Sequence, residues 1–335
     1  MKNQMVKIKN KKLFVIILIV ALIFLALLSL CCGNIFVSPL KFFSKDFFLD
    51  NVISRIILYS RLPRIFGSFV AGSALAVAGY IIQTVLNNPL ASPSVIGINS
   101  ASGFFVALTC ALFPMAINFM PLAAFVGALI GVFLVVLISE KTVASKITLV
   151  LSGIVVSLMF GAAIDAVLTF KPDSLSSYTD FRIGSLANES MQRIWPAFII
   201  VFICIIIAIT LNNRIDIMSL GIESASSVGL NVKATRMILL ILAAAMVGSA
   251  VSFCGLLSAI GLIIPHIMRQ LVGNEAKWMI PTSMLGGAIY LMFCDFLARI
   301  IFMPYEFPVG IILSLTGGPF FIWLLFKQRK GRTND

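Results

Sequence analysis

The strongest constraint on the fold of this chain is an apolar run of 22 residues, 65–86, that contains no charged side chain. At about 1.5 Å per residue, a helix of this length crosses a hydrocarbon layer of about 30 Å. Within the run, Ser68, Gly72 and Ala76 recur every four residues, so a neighbouring backbone can approach closely where lipid offers no hydrophobic drive. The run therefore predicts a membrane helix that packs inside a bundle.

Charge-poor apolar runs of similar length recur along the chain. Of its 335 residues 60% are apolar and 11% are charged, and the mean hydropathy is +1.08, which excludes a water-soluble globule. We expect an all-α, polytopic membrane protein of about ten spans. The predicted spans are 13–32, 65–86, 93–112, 119–139, 147–169, 194–211, 237–254, 256–272, 278–298 and 308–326. We expect 93–112, rich in small and polar residues, and 256–272, with Pro265, His266 and Arg269, to form short or broken helices.

The basic residues lie at the ends of the apolar runs, so the net charge of +12 does not indicate nucleic-acid binding. With ten spans and an inner N-terminus, 16 of the 25 basic residues fall on the inner side, and the positive-inside rule places both termini in the cytoplasm. The predicted organisation is a cytoplasmic basic tail, 1–12, a single transmembrane domain, 13–326, and a second cytoplasmic tail, 327–335.

A cluster of outer basic residues before the second span breaks this charge rule. Its members are Lys41, Lys45, Arg55, Arg61 and Arg64. Pro63 fixes its own φ and disfavours helix at Leu62, which predicts a rigid entry turn with Arg61 and Arg64 facing the outer water. From these residues alone, anchoring of the helix end by snorkelling is favoured over an acidic partner that docks from outside.

A polar turn follows the second span. Asn88 and Pro89 belong to the segment NNPLASP, whose two prolines forbid a continuous helix and predict a turn on the cytoplasmic side. Gln83 lies one turn earlier, at a depth where an amide either forms an interhelical hydrogen bond or lines a polar path. Both interpretations stay open at this point.

The longest polar stretch on the inner side is 212–235, NNRIDIMSLGIESASSVGLNVKAT. Its serines, the acidic Glu223, and Gly221 and Gly229 are typical of one or two short helices. A surface helix under a bundle is a natural contact for a soluble cytoplasmic subunit. Periodicity does not exclude the alternative, a tethered interfacial loop.

The last third of the chain places charged residues within or beside apolar runs. Asp295 and Arg299 are four positions apart, which predicts an ion pair on one helix face. Glu306 and Pro308 then open the last span. The sequence GGP at 317–319 predicts a break in the middle of that span.

The common catalytic and metal-binding motifs are absent from the sequence. There is no GxxxxGK[ST], so the chain does not bind ATP by a Walker motif, and there is no HExxH or GxSxG. The single histidine, His266, favours a packing role over metal ligation, and the six cysteines lie dispersed in apolar runs. We predict no catalytic residue, metal site or disulfide framework, which disfavours an enzyme.

Several of these motifs together resemble the FecCD-type permeases of ABC importers for ferric siderophores, haem and cobalamin. The resemblance runs from Arg61 to the C-terminus and rests on motifs in a fixed order: RLPR, Gln83 with NNPLASPSVIG, LGIESASSVGLNV, GLIIPHIMRQLVG, DFLAR, EFPVG and GGPFFIWLL. Because several separate motifs occur in that order, the resemblance is specific. Ala259 departs from it, since the family commonly has phenylalanine there.

The resemblance implies a type II ABC importer permease fold and a permease dimer, formed with a second copy or with a related chain. Two ATP-binding subunits would lie below the dimer and carry ATP and magnesium, so no cofactor is expected on this chain. A substrate-binding protein would dock outside. The resemblance further implies alternating access in a bacterial cell membrane, with an iron chelate as the commonest cargo and haem or cobalamin as alternatives.

The resemblance also implies roles for individual residues. Arg61, Arg64 and Arg299 would pair with acidic residues of the binding protein, which replaces the snorkelling interpretation. The residues that would press on the ATPase are Ser219, Leu220, Gly221, Glu223, Gly229 and Leu230. The residues assigned to the translocation path or its gate are Gln83, Asn88, Pro89, Ala144 and Ser145.

Two other functions remain alternatives at this point. An ion-coupled secondary transporter needs intramembrane acids, for which Asp165 and Asp295 are the candidates, both predicted near the outer surface. A membrane-bound receptor or assembly protein would carry no substrate flux.

Overall fold

The computed structural model describes residues 8, 10–33, 52–115, 117–141, 146–187, 189–301, 303 and 305–332, and within these ranges the secondary structure is helical, without a strand. The α-helices are α1 Lys11–Cys31, α2 Val52–Ile56, α3 Leu62–Leu86, α4 Ile98–Leu112, α5 Met120–Lys141, α6 Lys146–Phe170, α7 Leu175–Ile183, α8 Met191–Thr210, α9 Asn212–Ser219, α10 Ile222–Ser227, α11 Val232–Cys254, α12 Ile260–Val272, α13 Ala276–Ile300 and α14 Val309–Arg332.

Ten apolar segments among the described residues have the character of membrane helices. Seven are long enough to cross a membrane: Lys11–Cys31, Ser54–Leu86, Met120–Ser139, Thr148–Phe170, Met191–Thr210, Val232–Cys254 and Ala276–Ile300. Three are shorter: Ile98–Leu112, Ile260–Val272 and Val309–Ile322. The prediction of an all-α membrane protein of about ten spans is confirmed. The runs 93–112 and 256–272 are short helices, as expected.

The two ends of the bundle are distinguished by the N-terminal segment. The backbone N–H of Ile8 donates to the Leu271 carbonyl at 3.0 Å, and Lys11 Nζ lies 2.9 Å from Glu275 Oε2. Lys11 therefore lies beside the connection between α12 and α13. We call this end of the bundle the inner end, and the opposite end, where α1 finishes, the outer end.

Helix α3 forms the centre of the bundle. Nearly all of its side chains are buried, and it packs against α8, α11, α12 and α13. A Cβ added to Gly72 would lie 2.3 Å from the carbonyl oxygen of Gly287 in α13, and one added to Gly79 would lie 2.0 Å from that of Gly261 in α12. The small residues therefore allow backbone contact on two sides, which confirms the predicted close packing of this helix.

Helix α1 lies at the edge of the bundle. Its buried residues are Leu25, Ser29 and Cys31, all in its outer half, and its other residues after Lys11 and Lys12 are apolar and exposed or partly exposed. An apolar helix exposed on most of its surface is stable in hydrocarbon and not in water. The fully buried part of its contact with the bundle therefore lies at its outer end, while Lys11 holds the inner end through its ion pair with Glu275.

The predicted entry turn before the second span is absent, and that prediction is wrong. Leu62 has helical dihedral angles, φ −61° and ψ −46°, and its N–H donates to the Ile57 carbonyl across a π-helical turn, Ile57–Arg61. Pro63 falls in the first turn of α3, where the wider π turn accommodates a residue without an N–H donor. The helix is therefore continuous from Ser54 to Leu86, and Arg61 and Arg64 are buried.

The turn predicted after the second span is present. Asn87 adopts the left-handed conformation with φ 50° and ends α3, and the Asn88 side-chain oxygen accepts from the Leu90 N–H at 3.0 Å. Asparagine tolerates the left-handed region and forms such local turns with its side chain. The NNPLASP segment therefore reverses the chain at the inner end and leads into the short α4.

The predicted break in the last span is wrong, because α14 continues through Pro319. A Cβ added to Gly317 would lie 2.5 Å from the Ala259 Cβ. Ala259 has a φ of 71°, unusual for a residue with a side chain, and immediately precedes α12. Gly317 therefore allows α14 to pass close to the start of α12, and this close approach explains the glycine without a break.

Candidate functional site

An ion-pair network joins α3, α13 and the segment before α14 at the outer end. Arg64 Nη2 lies 3.0 Å from Asp295 Oδ1, and Arg64 Nη1 lies 2.5 Å from Glu306 Oε2. Asp295 also pairs with Arg299, whose Nε lies 3.2 Å from Oδ2, which confirms the predicted pair on one helix face. The Asp295 carboxylate thus bridges two guanidinium groups: it accepts charge-assisted hydrogen bonds from Arg64 and forms an ion pair with Arg299.

Two arginines of this region attach the outer end of α1. Arg61 Nη1 donates to the carbonyl of Leu30 and, at 3.2 Å, to that of Cys31. Arg299 donates to the Ser29 carbonyl at 3.3 Å and to the Ser29 hydroxyl. The last carbonyls of a helix lack intrahelical donors and carry partial negative charge, so cations stabilise this end.

Burial distinguishes the members of this outer charge cluster, which we define as Arg61, Arg64, Asp295, Arg299 and Glu306. The three arginines are 2–4% exposed and Asp295 is 1% exposed, whereas the Glu306 side chain is 35% exposed. Three guanidinium groups therefore face two carboxylates, and the acidic Glu306 is the most exposed member. The arginines predicted to dock a binding protein lie beneath the outer surface in this conformation.

The polar segment at the inner end forms two short helices, α9 and α10. Gly221, with φ 104°, precedes α10, and Gly229, with φ 85°, follows it. The Gly229 N–H donates to the Ser226 carbonyl at 2.9 Å, and the Leu230 N–H donates to the Ala225 carbonyl at 3.1 Å. Both glycines adopt positive φ, which a residue with a side chain rarely does. The prediction of short helices bounded by these glycines is confirmed.

Helices α9 and α10 are attached to three membrane helices. The Asp216 carboxylate in α9 accepts from the Ala276 N–H at 2.7 Å, which caps the start of α13. The Asn231 side chain accepts from the Ala234 N–H at 3.0 Å and caps the start of α11. Helix α9 also follows α8 with only Leu211 between them. A force on this pair would therefore reach α8, α11 and α13.

The surface of the α10 region combines apolar and polar exposure. Leu220 and Val228 are 64% and 66% exposed, on either side of α10, whereas Ala225 within it is fully buried. Glu223 is exposed between them, and Ser219 Oγ donates to the Asp216 carbonyl at 2.6 Å. Large apolar side chains exposed beside a charged residue, at the polar end of a membrane bundle, are typical of a protein contact surface.

Of the five residues predicted for the translocation path, the structure describes Gln83, Asn88 and Pro89, which differ in burial. Gln83 is 2% exposed, and its Nε2 donates to the Gly261 carbonyl at 3.2 Å, so it forms an interhelical hydrogen bond between α3 and α12. Asn88 and Pro89 are exposed in the inner turn. Ala144 and Ser145 lie outside the described residues. A path role for these five residues stays a prediction.

A cavity of about 350 Å³ lies at the outer end, and sequence reasoning missed it. Its charged lining consists of Asp180, Glu189 and Arg193, beside the end of α11 at Cys254. Burial raises the pKa of Glu189 to about 7, and the nearby Arg193 guanidinium opposes this rise. Glu189 therefore titrates near neutral pH, although its position in a polar outer loop gave no signal of this in the sequence.

Metal coordination has no support in the described part of the chain. Within those ranges, His, Cys, Asp and Glu side chains form no group of three that could hold an ion. His266 Nε2 lies 2.7 Å from Gln270 Nε2, four residues away in α12. The polar side chains that the structure describes therefore form hydrogen bonds and ion pairs with one another.

Comparisons with known proteins cover nearly the whole chain. A family model described as the FecCD transport family matches residues 21–327. The chain is 36% identical to the Fe(3+)-citrate import system permease protein YfmE of Bacillus subtilis (strain 168), over 98% of this chain and 100% of that protein. It is 32% identical to the hemin transport system permease protein HmuU of Yersinia pestis, over 94% and 96%.

A comparison of structures agrees with the comparison of sequences. A solved chain described as an inward-facing conformation of a metal-chelate type ABC transporter superposes with a TM-score of 0.85 at 28% identity. The match covers 94% of this chain and 99% of that one. The helical order described above is therefore the order of a known transporter fold.

Proposed function

The chain belongs to the FecCD transport family, and from that premise we propose that it forms the membrane path of an ATP-driven importer of ferric chelates. It is a permease subunit of an ABC importer, and ATP hydrolysis takes place on separate subunits. The cargo, the composition of the dimer and the roles of single residues are parts of the proposal.

The observation that carries the mechanism is the attachment of α10. Glu223 of this helix and the flanking Leu220 and Val228 are exposed at the inner end, while the nearby Asp216 and Asn231 cap α13 and α11. A movement of α10 therefore shifts helices that pack directly against the central α3. We assign α10 as the lever that transmits closure of the ATP-binding subunits to the bundle.

In this proposal the residues around α10 have different roles. Leu220, Glu223 and Leu230 provide the contact surface for the ATPase, and Ser219 caps the end of α9. Gly221 and Gly229 provide the two reversals of chain direction that set the helix at the surface. Two ATP-binding subunits, which carry ATP and magnesium, would engage one such lever on each of two permease chains.

The outer charge cluster supports docking of a substrate-binding protein through its excess of positive charge. Its three guanidinium groups exceed its two carboxylates, so the region is attractive to an acidic surface over a distance of about 10 Å. Arg61, Arg64 and Arg299 remain the predicted docking residues. Because they are buried here, an acidic partner would reach them only after Glu306 moves, or would bind through the field that they create.

The cargo is assigned by likeness to the relatives. YfmE is described as part of an Fe(3+)-citrate import system and HmuU as part of a hemin transport system. We propose a ferric chelate for this chain, with haem as the alternative. We also place the chain in the bacterial cell membrane, with its inner end and both termini in the cytoplasm, in agreement with the distribution of basic residues.

Ion-coupled secondary transport is disfavoured by the positions of its candidate acids. Asp165 is exposed near the outer end of α6, and Asp295 is occupied by two arginines. A coupling acid has to bind and release an ion or a proton within the membrane, and neither residue is placed to do so.

The proposed function is tested by reconstitution. The chain is copurified with its ATP-binding subunit, placed in liposomes with its binding protein, and assayed for uptake of radioactive iron as ferric citrate and as hemin. We expect uptake of one of them with ATP, none with a non-hydrolysable analogue, and no effect of an ionophore. Uptake that persists without ATP and collapses with the ion gradient would establish the secondary transporter.

A further inference from the structure

The start of α13 is contacted from two directions at the inner end of the bundle. From α9, the Asp216 carboxylate accepts from the Ala276 N–H at 2.7 Å. From α1, Lys11 Nζ lies 2.9 Å from Glu275 Oε2, and it lies 5.9 Å from the centre of the Trp278 ring, within the range of a cation–π contact. The first turn of α13 is therefore held between α9, which adjoins the proposed lever α10, and the start of α1.

The two carboxylates at this helix start have different partners. Glu275 is the N-cap residue of α13, but its side chain forms no capping hydrogen bond, and Asp216 provides the cap. The Glu275 carbonyl accepts from the N–H groups of Trp278, at 3.0 Å, and Met279, at 2.9 Å, so the first backbone hydrogen bonds of α13 end on this residue. Because Lys11 pairs with the Glu275 side chain, it acts on the residue from which the helix begins.

The backbone on either side of Lys11 is hydrogen-bonded. The Asn10 side chain accepts from the Leu13 N–H at 3.2 Å and caps α1, of which Lys11 is the first residue. The Ile8 N–H donates to the carbonyl of Leu271, in the last turn of α12, at 3.0 Å. The chain around Lys11 is therefore fixed both to the start of α1 and to the end of α12.

Helix α1 is attached to α13 at both of its ends. At the outer end, Arg299 donates to the Ser29 carbonyl at 3.3 Å and to the Ser29 hydroxyl. At the inner end, Lys11 pairs with Glu275. Between Lys11 and Ser29, α1 extends over about 27 Å. Since the two helices run in the same direction, α1 bridges α13 lengthwise, and unwinding of the first turn of α13 has to break the inner attachment.

We propose that Lys11 is a positioning residue for transport, which keeps the first turn of α13 folded when α9 and α10 move. This inference rests on the proposed function, in which α10 is the lever. The hydrogen bond from Ala276 to Asp216 passes the movement to α13, so a first turn that unwound would absorb the movement instead of passing it to the bundle. Lys11 opposes this loss through Glu275, and it therefore affects the coupling of ATP hydrolysis to uptake.

The ion pair is partly exposed, so its loss should have a local effect. The Lys11 and Glu275 side chains are 24% and 63% exposed. Ion pairs of this kind typically add little to the stability of the whole protein. We therefore expect the melting temperature of Lys11→Gln to lie within about 2 °C of the wild type, with the change confined to the start of α13.

The first measurement is hydrogen exchange of the purified full chain in detergent, read by mass spectrometry on peptides that contain residues 276–279. We expect exchange there to be about twofold to fivefold faster in Lys11→Gln than in the wild type, as loss of a partly exposed ion pair allows. Glu275→Gln breaks the same pair, so the double variant K11Q/E275Q should exchange no faster than either single variant. The matched control is Lys12→Gln, which removes the same charge from the next, exposed position and should exchange as the wild type does. Equal exchange in Lys11→Gln and Lys12→Gln would overturn the proposal.

The second measurement is the number of ATP molecules hydrolysed for each chelate that the reconstituted complex imports. We expect Lys11→Gln to raise this ratio about twofold or more, whereas Lys11→Arg, which keeps the charge, and Lys12→Gln should keep the wild-type ratio. Faster exchange at the start of α13 with an unchanged ratio would overturn the positioning role. Because hydrogen exchange is measured without transport, the two proposals fail separately: a wild type without ATP-driven uptake would overturn the proposed function, and this inference with it, whereas unchanged exchange would overturn this inference alone.

Discussion

Arg64 and Asp295 are separated by 231 positions in the chain and meet as an ion pair at 3.0 Å, each at most 3% exposed. The pair joins the central α3 to α13 at the outer end, and Arg299 and Glu306 complete it. Transfer of these charges from water is costly, so the pair is stable only while every member keeps its partners. This dependence leads to the first two predictions.

Replacement of Asp295 by alanine should destabilise the protein strongly. The substitution leaves two buried guanidinium groups without their shared carboxylate, a loss worth about 3–5 kcal/mol in other proteins. We expect a large drop in the melting temperature of the detergent-purified protein. Glu306→Gln removes a half-exposed carboxylate of the same network and should cost about 1 kcal/mol or less. Similar costs for both substitutions would show that burial does not control the energetics of the cluster.

The same cluster predicts a gain of affinity for the binding protein. Glu306 is the most exposed carboxylate of the cluster, so Glu306→Gln should strengthen docking of an acidic surface by a few-fold at low salt, mainly through faster association. The measurement is surface plasmon resonance against the immobilised permease. Arg61→Glu with Arg64→Glu should weaken docking, provided that the variant melts as a folded protein. Unchanged affinity in both variants would remove the cluster from docking.

The cluster also shows how much of the site could be predicted from the sequence. The pair of Asp295 and Arg299 was predictable, because a spacing of four places both on one helix face. The contacts of Arg64 with Asp295 and Glu306 were not, since they depend on how three distant segments pack. The tendency of Pro63 to disfavour helix at Leu62 was overridden by a π turn, which sequence patterns do not reveal.

The inner end was more predictable, because its geometry is local. Gly221 and Gly229 indicated where α10 begins and ends, and the turn after α3 followed from asparagine and proline. The helix caps that Asp216 and Asn231 provide were not equally predictable, because only one of them is local in sequence. Asn231 caps the helix that follows it directly, whereas Asp216 caps a helix that begins 60 residues later. The route from lever to bundle was therefore visible only in the structure.

Gly229→Pro should uncouple ATP hydrolysis from transport. Gly229 has φ 85° and donates its N–H to Ser226, and proline can do neither. The lever would lose its fixed direction while the ATPase contact residues remain. We expect continued ATP hydrolysis, with uptake reduced about tenfold or more in the reconstituted complex.

The control is Gly229→Ala, in which the added Cβ meets no other atom within 4 Å. Only the backbone strain remains in this variant, so the loss of uptake should be smaller. Coupled uptake at the wild-type level in the proline variant would remove this turn from the mechanism.

The close contact of α3 with α13 predicts a severe effect of a single methyl group. In Gly72→Ala the new Cβ would lie 2.3 Å from the Gly287 carbonyl oxygen, so the two helices have to separate. Overpacking of this kind typically costs about 1–3 kcal/mol, which should appear as a lower melting temperature and yield. Gly161→Ala is the matched control, because its Cβ meets nothing within 4 Å and alanine favours helix. A normal melting temperature for Gly72→Ala would show that α3 and α13 lie farther apart than described.

Stability should depend on pH through Glu189. Burial raises the pKa of this carboxyl from its ordinary value of 4.5 to about 7 in the folded protein, so the folded state holds the proton more tightly than the unfolded state. The contribution of Glu189 to the free energy of unfolding is therefore most favourable at low pH. It is lost as the pH rises from about 4.5 through about 7, and it does not change further above that range.

The variant Glu189→Gln cannot acquire the charge that burial penalises. We expect its melting temperature to match the wild type at pH 4 and to exceed it by a few degrees at pH 8, for a difference of about 2 kcal/mol. Asp173→Asn serves as the control for loss of an exposed negative charge at the same end. If both substitutions gave the same pH profile, Glu189 would not be the group that titrates.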